Sequence, residues 1–549
     1  MPRSVRLRPW QKTALERFHA ADGADFLAVA TPGAGKTTFA LTAAVQFLGE
    51  QPASRVIVVA PTHHLKHQWA RAAARLDLHL EPQWSPRDGR LPADMHGVVV
   101  TYQQVAMQAA SLRVLSQDAF VVFDELHHAG DERAWGDGIR AAFAGAARRL
   151  ALSGTPFRSD TRAIPFVPYD DFGEARSDYE YGYGEALVDG GVVRPVYFPR
   201  IDGHMEWVGP DGAEYSCSFD DALDSARSGQ RLRTALSLSG EWLPAVLDQA
   251  HAQLMAIRAA QPHAGGLIIA MDHEHARGIV DLMRRRHGVT PTLVLSDDPS
   301  ASARIEHFAE GSMPWIVAVR MVSEGVDIPR LRVGVFATNT ATELFFRQAA
   351  GRLVRWTRGM RHQKAFLFIP DDPRLRSFAA QIAEQRRHSL RRRDDDDRRG
   401  PDDDGELDAL PGAELQEEQL SLFSVISAVA LGNPHQPEWV VEEFDQDLGL
   451  DGDDDEHDDA GLTIDLAVPP RPGGGWATAT QARSRREQKL HLRAENADRA
   501  RDIVRTSGLT HAQVNGELNR LANVGRVSEC TVEQLESRLA HADRWLSRL

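Results

Sequence analysis

The residues most suggestive of chemistry are Ala30-Thr31-Pro32-Gly33-Ala34-Gly35-Lys36-Thr37, set between a strand-like apolar run, FLAVA (26–30), and a helix-like one, TFALTAAVQFL (38–48). A Gly-Lys-Thr between strand and helix reads as a phosphate-binding loop. Gly33 and Gly35 permit the tight turn and let backbone N–H groups approach phosphate oxygens. Lys36 would reach the β and γ oxygens, and the Thr37 hydroxyl would ligate Mg²⁺. Thr31, Ala34 and Thr38 complete the stretch expected to touch the nucleotide. The first loop position is Ala30, where the pattern has glycine. Downstream, a second apolar run ends in Asp124-Glu125-Leu126-His127. A carboxylate at the C-terminal edge of a strand faces the crevice where open α/β sheets bind ligands. Asp124 would hold Mg²⁺, and Glu125 would position and deprotonate the attacking water. His127 is placed to sense the γ-phosphate. Such a pair alone reads as a helix cap; downstream of a phosphate loop it reads as catalysis.

These residues need a sheet to hold them. FLAVA, VIVVA (56–60), GVVVT (97–101), AFVVFDE (119–125) and LALSG (150–154) alternate with helix-length stretches. Short, continuous apolar runs so spaced are the pattern of a parallel sheet covered on both faces. A second set follows: GLIIA (266–270), PTLVL (291–295), WIVAV (315–319), RVGVFA (332–337) and AFLFI (365–369). The reading is α/β, with two doubly wound lobes at 1–165 and 241–390 joined by a connector, 166–240. Residues 391–477 form an acidic low-complexity linker, expected to be disordered, whose apolar segment LSLFSVISAVAL (420–431) suits a docked helix. Residues 478–549 read as a small helical domain.

In order and content these motifs resemble superfamily two helicases and translocases, the DEAD/DEAH-box group, on the branch of restriction-enzyme translocase subunits and XPB-like or RadD-like repair helicases. The likeness spans roughly residues 5–370 and implies RecA-like lobes, ATP and Mg²⁺. Leu7-Arg8-Pro9-Trp10-Gln11 resembles the opening motif, in which the glutamine reads adenine. Ala60-Pro61-Thr62 with Leu65 and Gln68-Trp69, and Thr101-Tyr102-Gln103, resemble strand-contact motifs, implying nucleic-acid contacts from Thr62 and Thr101. Ser153-Gly154-Thr155-Pro156 resembles the motif coupling hydrolysis to lobe movement. Ser323-Glu324-Gly325-Val326-Asp327 resembles one touching both nucleic acid, through Ser323, and ATP, through Gly325 and Asp327. Gln348, Gly351, Arg352 and Arg355 match the final motif, whose arginines would enter the ATP cleft from the second lobe. A guanidinium fork there would neutralise charge on the equatorial oxygens. RadD-like proteins carry a cysteine cluster that this chain lacks, so no structural zinc is expected.

Composition sets the limits. Of 549 residues, 42% are apolar and 26% charged, which excludes a wholly disordered chain. Two cysteines, Cys217 and Cys530, are too few for a disulfide framework. No apolar run is long enough to span a membrane, and the start, MPRSVRLRPWQ, lacks an apolar signal core, so a cytoplasmic protein is expected. The net charge of −15 has the wrong sign for a nucleic-acid binder. Between Asp394 and Asp465, however, 25 acidic residues face only Arg398 and Arg399, a local −23 that leaves +8 for the rest. The Arg-rich C-terminal helices suit docking onto a partner or onto the chain itself first, and DNA contact second. The expectation is an ATP-dependent nucleic-acid helicase or translocase, with DNA favoured over RNA by resemblance. An RNA remodeller and an ATP-gated DNA clamp or adaptor without strand separation are the alternatives.

Overall fold

The computed structural model describes residues 3–549 except 89, 127–132, 155–163, 171–172, 174, 211, 296–297, 299, 320–327, 358–359, 361–362, 397–423, 431–461, 470 and 472–484. The chain forms two compact units. One comprises Met1–Val29, Gly35–Glu180 and Ala460–Leu549; the other Ala30–Ala34 and Tyr181–Asp459.

In the first unit, β1 (Arg3–Leu7) precedes β2 (Asp25–Ala30), β3 (Val56–Ala60), β4 (Leu80–Glu81), β5 (Gly97–Thr101), β6 (Phe120–Phe123), β7 (Arg148–Ser153) and β8 (Tyr179–Tyr181). Strands β2 to β8 form one sheet in the order β4-β5-β3-β6-β7-β2-β8, parallel from β4 through β2. Every residue of β3, β5 and β6 is buried, with no alternation, because helices such as Lys36–Glu50, His63–Ala74 and Tyr102–Leu115 cross over between strands. Val59, Val100, Val121 and Phe143 belong to one core cluster.

The second unit carries β9 (Val196–Tyr197), β10 (Arg200–Ile201), β11 (Gly203–Val208), β12 (Glu214–Ser218), β13 (Gly265–Ala270), β14 (Thr292–Val294), β15 (Trp315–Val319), β16 (Leu331–Ala337), β17 (Ala365–Pro370) and β18 (Ser424–Ala430). Its main sheet runs β10-β17-β16-β13-β15-β14 with β9 also on β17, all pairs parallel. Ile268, Trp315, Val335 and Phe366 share its core. All ten apolar runs picked out in the sequence are strands, and both units have the RecA-like parallel arrangement expected. The apolar segment at 420–431 differs from expectation: it supplies β18, not a helix, and pairs antiparallel with β11. Its β-branched content (Val425, Ile426, Val429) suits the free side of the β11–β12 hairpin. Most of the acidic linker lies outside the described residues.

Within the first unit the C-terminal region docks on the sheet. The last strand, β19 (Leu462–Leu466), pairs antiparallel with β1. Helices Arg485–Ser507, His511–Leu521 and Val532–Leu546 enclose Ile503, Val514 and Leu518. At their centre the buried Arg538 donates to the side-chain oxygens of Asn496, Asn515 and Asn519 at 2.9, 2.7 and 2.9 Å. Buried Asp94, just ahead of β5, pairs with Lys489, receives Arg485 at 3.4 Å and accepts the Val532 N–H at 3.3 Å. Arg471 donates to the carbonyls of Ala53 and Ser54, ahead of β3. Outward-facing arginines meet acids of these helices, Arg499 across to Asp543 of the last helix, and Arg505 with Asp502 and Arg520 with Glu517 within their own. Of the readings the sequence left open, docking onto the chain itself is the one these contacts describe.

Two outcomes follow for this docking surface. Asp94→Ala strands a buried ammonium and an N–H, and losing one partner of a buried pair costs about 3–5 kcal/mol. Limited proteolysis should then cut the C-terminal helices more readily than in wild type, and retention of wild-type resistance would refute the buried-pair account. Next to Asp94, burial holds His96 down to about 3, aided by its neighbour His79, and His79 down to about 4, aided by Arg485. Both are therefore neutral when folded. Their contribution is complete above the usual 6.5 and is lost as pH falls toward 4 and then 3. Denaturant midpoints across that window should fall in wild type and fall less in His96→Gln.

Candidate nucleotide site

Strand β2 delivers the chain to the loop. Gly33 and Gly35 hold φ of +85° and +96°, left-handed values that side chains resist. Gly35 caps the helix Lys36–Glu50, putting Lys36 and Thr37 in its first turn, where unsatisfied N–H groups attract anions. Gln11, on the helix Pro9–Ala20, is buried; its Nε2 donates to Gly35 O at 2.8 Å and its Oε1 accepts Arg8 N–H at 2.8 Å. The expected adenine reader thus also braces the loop. Ala30–Ala34 groups with the second unit. There the Thr31 N–H donates to Tyr181 O at 2.9 Å, and Ala34 N–H to Thr31 O at 3.1 Å. A Cβ on Gly33 would lie 3.6 Å from Arg355 Cγ, and one on Gly351 2.6 Å from Pro32 Cγ, so Gly351 has no room for a side chain.

Glu125 is the first unit's counterpart to Lys36. Its Oε1 lies 3.2 Å from Lys36 Nζ, and its Oε2 accepts the Gly154 N–H at 2.9 Å. Glu125 adopts φ +48°, left-handed for a residue with a Cβ, and such backbone costs on the order of 1–3 kcal/mol. That strain turns the carboxylate toward the lysine and the Ser153-Gly154 strand end. Asp124 is buried beside it, accepting Trp69 Nε1–H on Oδ2 at 2.7 Å, while its backbone O accepts Tyr102 OH at 2.9 Å. Burial, with Asp124 and Glu125 nearby, raises the Tyr102 phenol well above its usual value and keeps it a donor.

Thr62 and Thr101 both cap helices: Thr62 Oγ1 accepts Leu65 N–H at 3.4 Å, and Thr101 Oγ1 accepts Gln104 N–H at 3.2 Å. A hydroxyl that accepts in a cap keeps its proton to donate. Thr62 is half-buried and Thr101 buried. Lys66, buried in the Thr62 helix, donates to Gln104 Oε1 at 2.7 Å, and burial pulls it down to about 8. In the second unit Gln348 and Arg352 share one face of the helix Glu343–Leu353; Arg355 follows it, bridged to Val193. Thr38 lies in the first turn of the phosphate-loop helix. His127, Ser323, Gly325 and Asp327 lie outside the described residues, as do Thr155 and Pro156. The motifs did not single out Trp69 and Tyr102 as partners of Asp124; Tyr102 directly follows Thr101, while Trp69 lies farther along the helix that Thr62 caps.

The donor set fits a magnesium-bound nucleoside triphosphate: two left-handed glycines, a helix N-terminus and an ammonium for phosphate, with a hydroxyl and carboxylates for the metal. Gly35→Ala tests the loop, since its Cβ would stand 2.7 Å from Gln11 Nε2 at a left-handed φ. The expected cost is about 1–2 kcal/mol. The rise in melting temperature that Mg-ATP gives wild type should shrink in the variant, and an undiminished rise would remove this loop from the site.

Among relatives, an uncharacterized protein of Mycobacterium leprae is 47% identical over 392 residues, covering 70% of this chain and 65% of that one. One from Mycobacterium tuberculosis is 48% identical over 390 residues, covering 70% and 64%. This chain therefore spans just under two thirds of the length of these curated relatives. A solved fragment assigned to an HsdR subunit of a type I restriction enzyme from Vibrio vulnificus YJ016 is 16% identical at a TM-score of 0.48, covering 68% of this chain and 65% of that one. Residues 4–158, which carry the phosphate loop and the Asp124-Glu125 strand end, match the family model for the res subunit of type III restriction enzymes.

Proposed function

We propose that the chain hydrolyses ATP with Mg²⁺ and uses the cycle to move along nucleic acid, DNA in preference to RNA. The observation that carries this reading is Lys36 on Glu125, with the Gly154 N–H on the same carboxylate. Lys36 and Glu125 side chains are 12% and 26% exposed, so the pair is accessible enough for a phosphate to take over the ammonium. That exchange frees Glu125 to orient and deprotonate a water. Bound Mg-ATP supplies the phosphoryl group and the cation that offsets its charge; Asp124 and Thr37 hold the metal. Arg352 and Arg355 stabilise charge on the transferring group, a role supported by their spacing from Gln348 and by Gly33 beside Arg355. Thr62 contacts phosphates of the strand through the proton its cap leaves over, with Thr101, Ser323, Gly325, Asp327 and His127 in the roles the motifs imply. Preference for DNA rests on the Leu-Arg-Pro-Trp-Gln and Gln-Trp motifs.

Purified Lys36→Ala should lose about 10³-fold or more in turnover and bind ATP weakly. Glu125→Gln should bind ATP nearly as wild type yet hydrolyse it about 10²–10⁴-fold more slowly. Single-turnover hydrolysis and nucleotide binding, with duplex DNA, single-stranded DNA and RNA as activators, read both effects. Wild-type turnover in Lys36→Ala, or equal loss of ATP affinity in the two variants, would refute the assignment. Stimulation by RNA alone would replace DNA as the substrate, and hydrolysis without strand displacement would favour a clamp or a duplex translocase.

A further inference from the structure

Two helices in the first unit begin at candidate strand-contact residues, and each sends one aromatic side chain to Asp124. The helix His63–Ala74, capped by Thr62, carries Trp69, whose Nε1–H reaches Asp124 Oδ2 at 2.7 Å. The helix Tyr102–Leu115, capped by Thr101, opens with Tyr102, whose hydroxyl reaches Asp124 O at 2.9 Å. Both donors are buried, Trp69 at 2% exposure and Tyr102 at 0%. A third contact joins the helices: Gln104 Oε1 accepts Lys66 Nζ–H at 2.7 Å and the Thr101 N–H at 3.0 Å. A shift of either helix start therefore strains a hydrogen bond to Asp124 or the brace between the helices.

We infer that Trp69 and Tyr102 are positioning residues that tie the strand-contacting ends of these helices to Asp124, so that nucleic acid bound at the helix starts sets the metal-holding carboxylate. The inference rests on the proposed function. Its physical basis is that each donor fixes a different part of the residue. Trp69 fixes the carboxylate rotamer, and Tyr102 fixes the peptide joining Asp124 to left-handed Glu125. A phosphate that draws Thr62 or Thr101 forward pulls on a helix start whose aromatic residue is already engaged. By reciprocity, ordering Asp124 around Mg-nucleotide stiffens the same helix starts. Both aromatic side chains are buried, so the role assigned to them is to position Asp124.

The test uses the full chain and two substitutions: Tyr102→Phe, which removes only the hydroxyl donor, and Trp69→Phe, which removes the indole N–H together with part of a buried ring. Affinity for a fluorescent single-stranded oligodeoxynucleotide is measured by anisotropy with Mg²⁺ and a non-hydrolysable ATP analogue, and without nucleotide. In wild type the analogue should change affinity by about tenfold, within the usual span of coupling between sites. In either variant the ratio should fall to within about threefold of unity, while nucleotide-free affinity stays within about twofold of wild type. The activation of ATP turnover by the oligonucleotide should fall in parallel. The substitutions lie on different helices, so each is decisive alone if the other misfolds. A merely structural role would weaken binding equally with and without nucleotide; that result, or a wild-type ratio in a folded variant, overturns the relay. If wild-type binding ignores nucleotide altogether, the proposed function falls, and the relay with it.

Discussion

Lys36 and Glu125 sit 3.2 Å apart because the backbone is bent at both ends of the pair. The lysine opens a helix that can start there only because Gly35 accepts φ +96°. The glutamate follows β6 with φ +48°, a conformation that a side chain adopts at a cost. Gly154 lies against the pair: a Cβ there would stand 3.1 Å from the ammonium and 3.4 Å from the carboxylate, so a side chain would press on the lysine head. Residues after three separate strands thus build one ion pair, and Glu125 alone among them adopts a costly left-handed backbone. The parallel sheet makes this feasible, since β2, β6 and β7 all end on the same edge.

That sheet is also why so much was legible in the chain. A parallel strand buried on both faces must be apolar throughout, so all ten runs stood out without alternation. The phosphate loop was legible because glycines, lysine and threonine have no other common reason to follow a strand in that order. The short strands β9 and β10 were not, since two residues carry no period. β18 misled because a short apolar run reads as helix or strand until its partner is known, and the partner lies some 220 residues upstream in β11.

Asp94 shows a different kind of illegibility. It is one aspartate in a coil before β5, and Lys489 is one basic residue in a helix full of them. Only folding tells that this lysine turns inward with Arg485 while Arg499 and Arg505 farther along the helix face out to pair with acids. Trp69 and Tyr102 are similar. Their residue types were visible in the two strand-contact motifs, but their convergence on Asp124 depends on how two helices are rotated about their axes.

The first unit therefore uses charge in two ways, at opposite edges of one sheet. At the C-terminal edge, Lys36 and Glu125 are partly exposed and hydrogen-bonded only in part to fixed backbone, so another anion can displace the carboxylate at modest cost. At the N-terminal edge, Asp94 and Lys489 are 0% and 1% exposed, and the same aspartate also holds Arg485 and a helix N–H. Separating that second pair would leave two desolvated charges, a penalty of several kcal/mol that no passing ligand relieves. The first arrangement suits a pair that opens and re-forms, as the proposed cycle requires. The second suits a domain that must stay attached while it does so, and the strands between them keep the edge that changes away from the edge that holds.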